Sequence, residues 1–388
     1  MKHYLESLIV EEINRALTLK TLIHYPLKYP ELTGLATRST DILDEQIQLL
    51  NTLRSELQVR DEDDLRDIFR DLRICSDSVS LVEYFGIAAL YYQTPEIGFL
   101  NRLIFKVSQE IKLPFPHPSV CCTGTTHYFS HPYMNVIFTP LTEAEFLLHT
   151  PDLYHELGHC VLENMKIDLR LQAVRDSFQK AYSRVTDHYT QLIRSKKAEV
   201  GPERISMDIE RLHSHWKSWI AEFFSDLFAL YTVGPAYAWS HLHLTMKHSA
   251  DIHELSMIQQ THPSDESRMR ILLLALKQLG FDDDVKAIKT KWDQAAGFWG
   301  PPEIEYQYAY PDALLEDIVK LIVDGLKESG VSLFSRSTSG ETGEVRNLLN
   351  EAWKVFWKSA PDDFRKWEKD SVMNLRTFLQ ILPQPTAP

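Results

Sequence analysis

His155, Glu156 and His159, in the run Tyr154-His-Glu-Leu-Gly-His-Cys160, are the residues whose types and spacing could do chemistry. They spell H-E-x-x-H. Two histidines four residues apart stand on one side of an α-helix, so both imidazoles can reach one ion from one direction. Glu156, next to the first of them, can hold the water that such an ion activates and take its proton. The chemistry this pattern supports is metal-assisted hydrolysis. A bland reading also stands: two histidines on an ordinary amphipathic helix, with Glu156 solvated. The flanks suit a helix. Thr150 could cap it, Pro151 fits a first helical position, and Asp152 favours the positive end of the dipole. Gly158 would let another backbone come close.

A catalytic zinc takes a third protein ligand and keeps one position open. Metzincin spacing would need a glycine and a histidine three and six residues after His159, where Leu162 and Met165 stand. Glu163 lies one turn beyond His159, but three consecutive turns of one helix do not easily converge on one ion. The thermolysin-type spacing, near twenty residues on, offers Gln179 and no glutamate. Glu222 is better placed. It sits in an otherwise apolar helical pattern, Trp219–Tyr231, where a buried carboxylate needs a partner. Asp226 follows one turn along the same face, suited to orient a ligand histidine from behind. The alternative is a carboxylate pair on an exposed stripe, although the aromatic density leaves little room for one.

A third segment, Thr261-His-Pro-Ser-Asp-Glu-Ser-Arg268, closes the set. Ser264 can cap a helix with Asp265 and Glu266 in its first turn and Gly280 at its end. His262 then stands just before a helix N-terminus, where it could donate to the oxyanion of a tetrahedral intermediate. Arg268 could pair with Asp226. Taken alone, a His-Pro would read as an ordinary loop.

Together the three segments resemble the gluzincin metallopeptidases of the family that contains the HtpX heat-shock protease and the CAAX prenyl endopeptidase. The likeness lies in His155-Glu-Leu-Gly-His159, Glu222-x-x-x-Asp226 and His262-Pro with Arg268 six residues on, in the family's order, over roughly residues 130–280. It implies a zincin-type core that binds one Zn2+ per chain through His155, His159 and Glu222. Glu156 would be the base, His262 the oxyanion donor, and Asp226 and Arg268 the support. The best-known members are embedded in membranes and this chain shows no span, so it looks more like a soluble member. Repressor-cleaving proteases of the ImmA/IrrE type share H-E-x-x-H and a later glutamate helix, without the His262–Arg268 segment. A zinc-binding sensor without turnover, or a metal-free helical scaffold, would be different outcomes again. Metal analysis separates the last from the rest.

The elements that must position these residues are mostly helical. Met1–Leu19 alternates charge with apolar positions as an amphipathic helix, interrupted by Glu6, Glu11 and Glu12 in a way no secretory signal tolerates. Leu43, Ile47, Leu50 and Leu53 keep helical spacing, a polar helix is expected around Asp61–Leu72, and the aromatic run of Val82–Ile111 reads as core. Residues 119–140 are the best β candidate, with strands at Cys121–Phe129 and Tyr133–Thr139. The latter is the suspected edge strand on which a peptide substrate would align by β-addition. Later helices are expected over Leu169–Ile193 and Ile205–Tyr231, bracketed by Gly201-Pro202 and Gly234-Pro235. A loop is expected at Ser332–Glu344.

The fold class expected is mainly α with a small β-sheet. Residues 1–112 form an N-terminal helical region, 113–284 the metallopeptidase core and 285–388 a C-terminal helical region. With 388 residues and a net charge of −13, a general affinity for nucleic acid is not expected. Four cysteines, two of them adjacent, make no disulfide framework, which points to a cytoplasmic protein; the resemblance implies a protein or peptide substrate.

Overall fold

Apolar residues recur every three or four positions along much of the chain, and the computed structural model folds those stretches as helices. It describes residues 1–23, 27–60, 65–122, 128–140, 142–199, 204–255, 261–336 and 344–381. The turn expected at Gly201-Pro202, the start of the polar helix at 61–64, most of the strand expected at 121–129 and much of the loop at 332–344 lie outside the described residues. The chain is mainly helical with one small sheet and divides into two compact units. Residues 1–105, 116–144 and 376–388 form the first, and residues 106–115 and 145–375 the second. Residues 285–375 join the unit of the His155 helix, because their apolar faces pack there.

In the first unit, α1 (Lys2–Ile23), α2 (Thr33–Val59) and α3 (Leu65–Leu81) bury one stripe each. Leu5 and Ile9 meet Leu50, Leu53, Leu57, Ile68 and Leu72. A π-helical turn, Val82–Ile87, leads into α4 (Ala88–Tyr91) and α5 (Pro95–Glu110). The aromatic run divides there, with Phe85 packed half-buried against the core and the tyrosines turned outward. Tyr84 and Tyr91 are 73% and 51% exposed, while the aliphatic Val82, Ala89 and Leu90 turn inward.

The sheet has strands β1 (Ser119–Cys122), β2 (Phe129–His131) and β3 (Val136–Thr139) in the order β1-β3-β2. β1 runs parallel to β3 and β2 antiparallel to it. The suspected edge strand is thus the central one: Val136–Thr139 is paired on both sides, and Tyr133 lies in a 3-10 turn before it. All four β3 residues are buried, and an unbroken apolar run such as Val-Ile-Phe is what a strand covered on both faces requires. The outer side of β1 is also taken at Val120, whose C=O and N–H both bond the Asn101 side chain.

The second unit is built around α8 (Arg204–Val233), after α6 (Asp152–Asn164) and α7 (Gln172–Glu199). From residue 222 to residue 242 every side chain is buried. A helix apolar all round belongs in the middle, and α6, α7, α9 (Pro235–His248), α10 (Asp265–Gln278) and α13 (Asp312–Glu328) all pack on α8. The remaining helices are α11 (Asp282–Ala296), α12 (Ile304–Ala309), α14 (Val345–Lys358) and α15 (Pro361–Ile381). Gly234, at φ +79°, breaks α8 from α9 in a conformation that side chains resist, and Phe334 fills the space a Cβ would need. No described helix is long and apolar enough to cross a membrane. All four cysteines are free and buried.

Candidate metal centre

α6 carries His155 and His159 on the face it turns to α8. The crossing is close because Gly158 lies between them: a Cβ there would come 2.6 Å from the Cα of Ser225. Ser225 is in turn flanked by Glu222 and Asp226, so the two small residues that let the backbones meet also bring the four polar side chains together. The helix start differs from expectation. Thr150 does not cap α6, since its hydroxyl donates back to the carbonyl of Phe146 at 2.9 Å. Asp152 is the first helical residue, as the dipole favours.

The donor atoms of His155, His159 and Glu222 all lie within 4.8 Å of one another, in a group that could hold a metal ion. The two Nε2 atoms are 3.2 Å apart. Glu222 Oε2 lies 3.4 Å from His155 Nε2, and Glu222 Oε1 lies 3.5 Å from His159 Nε2. Glu222 Oε2 is buried and has no hydrogen-bond partner. Glu156 is buried on the same helix and adds its negative charge to the field at His159. Glu163 stands outside the group and pairs with Lys166 at 2.5 Å.

Behind His155 the chain supplies a charged pair. Asp226, fully buried, lies 2.9 Å from His155 Nδ1 through Oδ1. Arg268, from the first turns of α10, donates through Nε and Nη2 to the two Asp226 oxygens at 2.8 and 2.6 Å. The planar guanidinium matches both carboxylate oxygens at once, the geometry in which such a pair is strongest. Burial opposes charge on His155, yet Asp226 and Glu222 outweigh it and its pKa is pushed up to about 10. Burial likewise works against the Glu222 carboxylate, but His155 holds its pKa down to about 2. His159 is pushed the other way, below its ordinary value, by burial and by the charge of His155. These shifts report one field, in which two carboxylates favour a single positive charge between them.

His262 stands at the rim. Its side chain is 65% exposed, Nε2 comes within 3.8 Å of Glu222 Oε1, and Nδ1 is 2.9 Å from the Thr261 hydroxyl. The turn that carries it is fixed by Ser264, which caps α10 by accepting from the Ser267 N–H at 3.2 Å. Two tyrosines, Tyr306 and Tyr310, support that cap. Ser264 N–H donates to the Tyr310 hydroxyl at 3.2 Å, and the Tyr306 hydroxyl meets Ser264 Oγ and donates to Glu266 at 2.6 Å. Gly280 ends α10 at φ +82°.

Tyr237 of α9 completes the rear of the site and carries no sequence signal of its own. Its hydroxyl lies 2.9 Å from His155 Nδ1 and donates to Asp226 Oδ1. Only the helix start at Pro235, directly after the Gly234 break, hinted that the chain there is re-aimed toward α6.

Fold and site together define a mainly helical chain with a buried His-His-Glu group able to hold a metal ion. Comparison with protein-family models, curated proteins and solved structures gave no match to this chain.

Proposed function

We propose that the chain is a zinc-dependent endopeptidase of the gluzincin kind with a zincin-type core, in which His155, His159 and Glu222 hold one zinc ion. The observation that carries this reading is the meeting of two imidazole Nε2 atoms and a carboxylate from a distant helix in one buried group. Ligands each about 2.0–2.1 Å from a tetrahedral zinc stand about 3.3 Å apart. Here the two Nε2 atoms are 3.2 Å apart, Glu222 reaches His155 through Oε2 at 3.4 Å and His159 through Oε1 at 3.5 Å, and one donor atom from each residue lies within 4.8 Å of the others. Glu222 Oε2 supports the fit, because it is buried with only His155 Nε2 near it, at 3.4 Å and outside good hydrogen-bond geometry, and a cation would satisfy it. Two nitrogens and one oxygen are a donor set that zinc accepts with one position left open.

When bound, the ion would polarise the scissile carbonyl and lower the pKa of a water toward about 7. The chain's own residues move the protons. Glu156 takes a proton from the attacking water as its oxygen bonds to the carbonyl carbon. It gives that proton to the amide nitrogen as the C–N bond breaks, so a carboxylate and an amine leave and Glu156 is regenerated. His262 donates to the carbonyl oxygen as negative charge develops there. Asp226 and Arg268 hold His155 from behind.

An unbiased peptide-cleavage profile of wild type against Glu156→Gln, with zinc content measured in both, tests the reading. Wild type should cleave, and the variant should keep zinc and fold while losing about 10²–10⁴ in rate, the worth of a general acid–base group. A wild type that holds zinc but cleaves nothing across the library would contradict the endopeptidase and leave a metal-binding module.

A further inference from the structure

We infer that Tyr237 is a positioning residue that, with Asp226, fixes which nitrogen of His155 faces the metal. The inference rests on the reading of His155 as a ligand. Four polar groups meet behind that ring. The Tyr237 hydroxyl is 2.9 Å from His155 Nδ1 and donates to Asp226 Oδ1. Arg268 Nη2 donates to the Tyr237 oxygen at 3.3 Å, and Asp226 Oδ1 is itself 2.9 Å from His155 Nδ1.

Counting donors settles the protons. A guanidinium only donates, and a carboxylate gripped by two guanidinium N–H groups only accepts. The single hydroxyl proton of Tyr237 goes to Asp226, so the phenol oxygen has only lone pairs to offer His155. Both neighbours of Nδ1 are therefore acceptors, and Nδ1 carries the proton. When zinc takes the place of a proton on the other nitrogen, Nε2 is the one left to present its lone pair, on the side where His159 and Glu222 stand. The tyrosine also sets the plane of the imidazole, since the two rings lie 16° from parallel with centroids 6.0 Å apart. Tyr237 is buried along its whole length, so this contact is built into the unit rather than made at its surface.

Two readouts on the full-length protein test this. The first is zinc affinity, by competition with a chromophoric chelator, for wild type and Tyr237→Phe. The variant should bind zinc about 10–100-fold more weakly, as when a group that orients a ligand histidine is removed. The second is the tautomer of His155 in the zinc-loaded protein, read from ¹⁵N shifts of labelled histidine. Wild type should show Nδ1–H with zinc on Nε2, and the variant should show that signature weakened or mixed. Affinity within about twofold of wild type, far below the loss expected, would overturn the inference. So would a wild-type spectrum with the proton on Nε2. If Tyr237→Phe does not fold, 3-fluorotyrosine at 237 keeps the hydroxyl and, through one added ring fluorine, makes its oxygen a weaker acceptor; unchanged zinc affinity would then overturn it, and weaker binding would support it. A wild type that binds zinc yet cleaves nothing sinks the endopeptidase and leaves this inference standing, whereas one that binds no zinc ends both.

Discussion

Behind His155, at Nδ1, Asp226, Tyr237 and Arg268 satisfy one another; in front of it, at Nε2, Glu222 Oε2 is buried with no hydrogen-bond partner. The two regions are a single ring apart and share α8, which carries both Glu222 and Asp226. The rear shows that this packing can pair every charge it buries there, down to a bidentate arginine on a fully buried aspartate. The front converges three donor sets and leaves an acceptor unpaired. A structure that compensates buried charge so fully on one side of an imidazole has a reason to leave the other side polar. A cation held by His155, His159 and Glu222 supplies that reason, and the same two carboxylates already favour positive charge at His155.

The contrast can be broken from the rear. Arg268→Ala removes both guanidinium donors from Asp226 and leaves a fully buried carboxylate with only the Tyr237 hydroxyl and His155 Nδ1 beside it, which should cost up to about 3–5 kcal/mol of folding stability. Denaturant unfolding of variant and wild type measures it. A loss under about 1 kcal/mol, the level of an exposed pair, would mean that the rear pair secures little.

A change at the front should behave differently. His262 is largely exposed, so His262→Ala should leave the unfolding midpoint and zinc content near wild type. Its N–H would act on charge present only in the transition state, so kcat should fall about 10²–10³ with KM little changed. Equal losses in stability and zinc would instead place His262 among the structural groups of the rear.

The front was far more legible in the sequence than the rear. His155 and His159 announce themselves because helical geometry puts residues four apart on one face, and no tertiary information is needed. Glu222 stood out as a charge in an apolar run, and its burial follows from the same run that makes α8 the central helix. Asp226 and Arg268 were reachable because opposite charges in apolar surroundings must find each other. Tyr237 was not legible: a buried tyrosine and a core tyrosine look alike until the chain turns at Gly234 and brings it to a ring 82 residues away. Thr150 fails as a cap for a local reason, since its hydroxyl found the Phe146 carbonyl first. Of the strand expected at Tyr133–Thr139, Val136–Thr139 is β structure, and its unbroken apolar run fits the middle of the sheet, where the structure puts it, better than an edge.

Zinc binding in wild type and Glu222→Gln, followed by metal analysis and equilibrium titration, tests the front of the site most directly. Wild type should hold one zinc per chain. The variant keeps the shape of the side chain but loses the charged ligand oxygen, so its affinity should fall by more than the roughly 10–100-fold that a change behind the ligands costs. Tight zinc retained at full occupancy in Glu222→Gln would contradict the His155–His159–Glu222 centre and move the third ligand elsewhere, with Glu163 next in line. A wild type without zinc affinity would contradict the centre altogether.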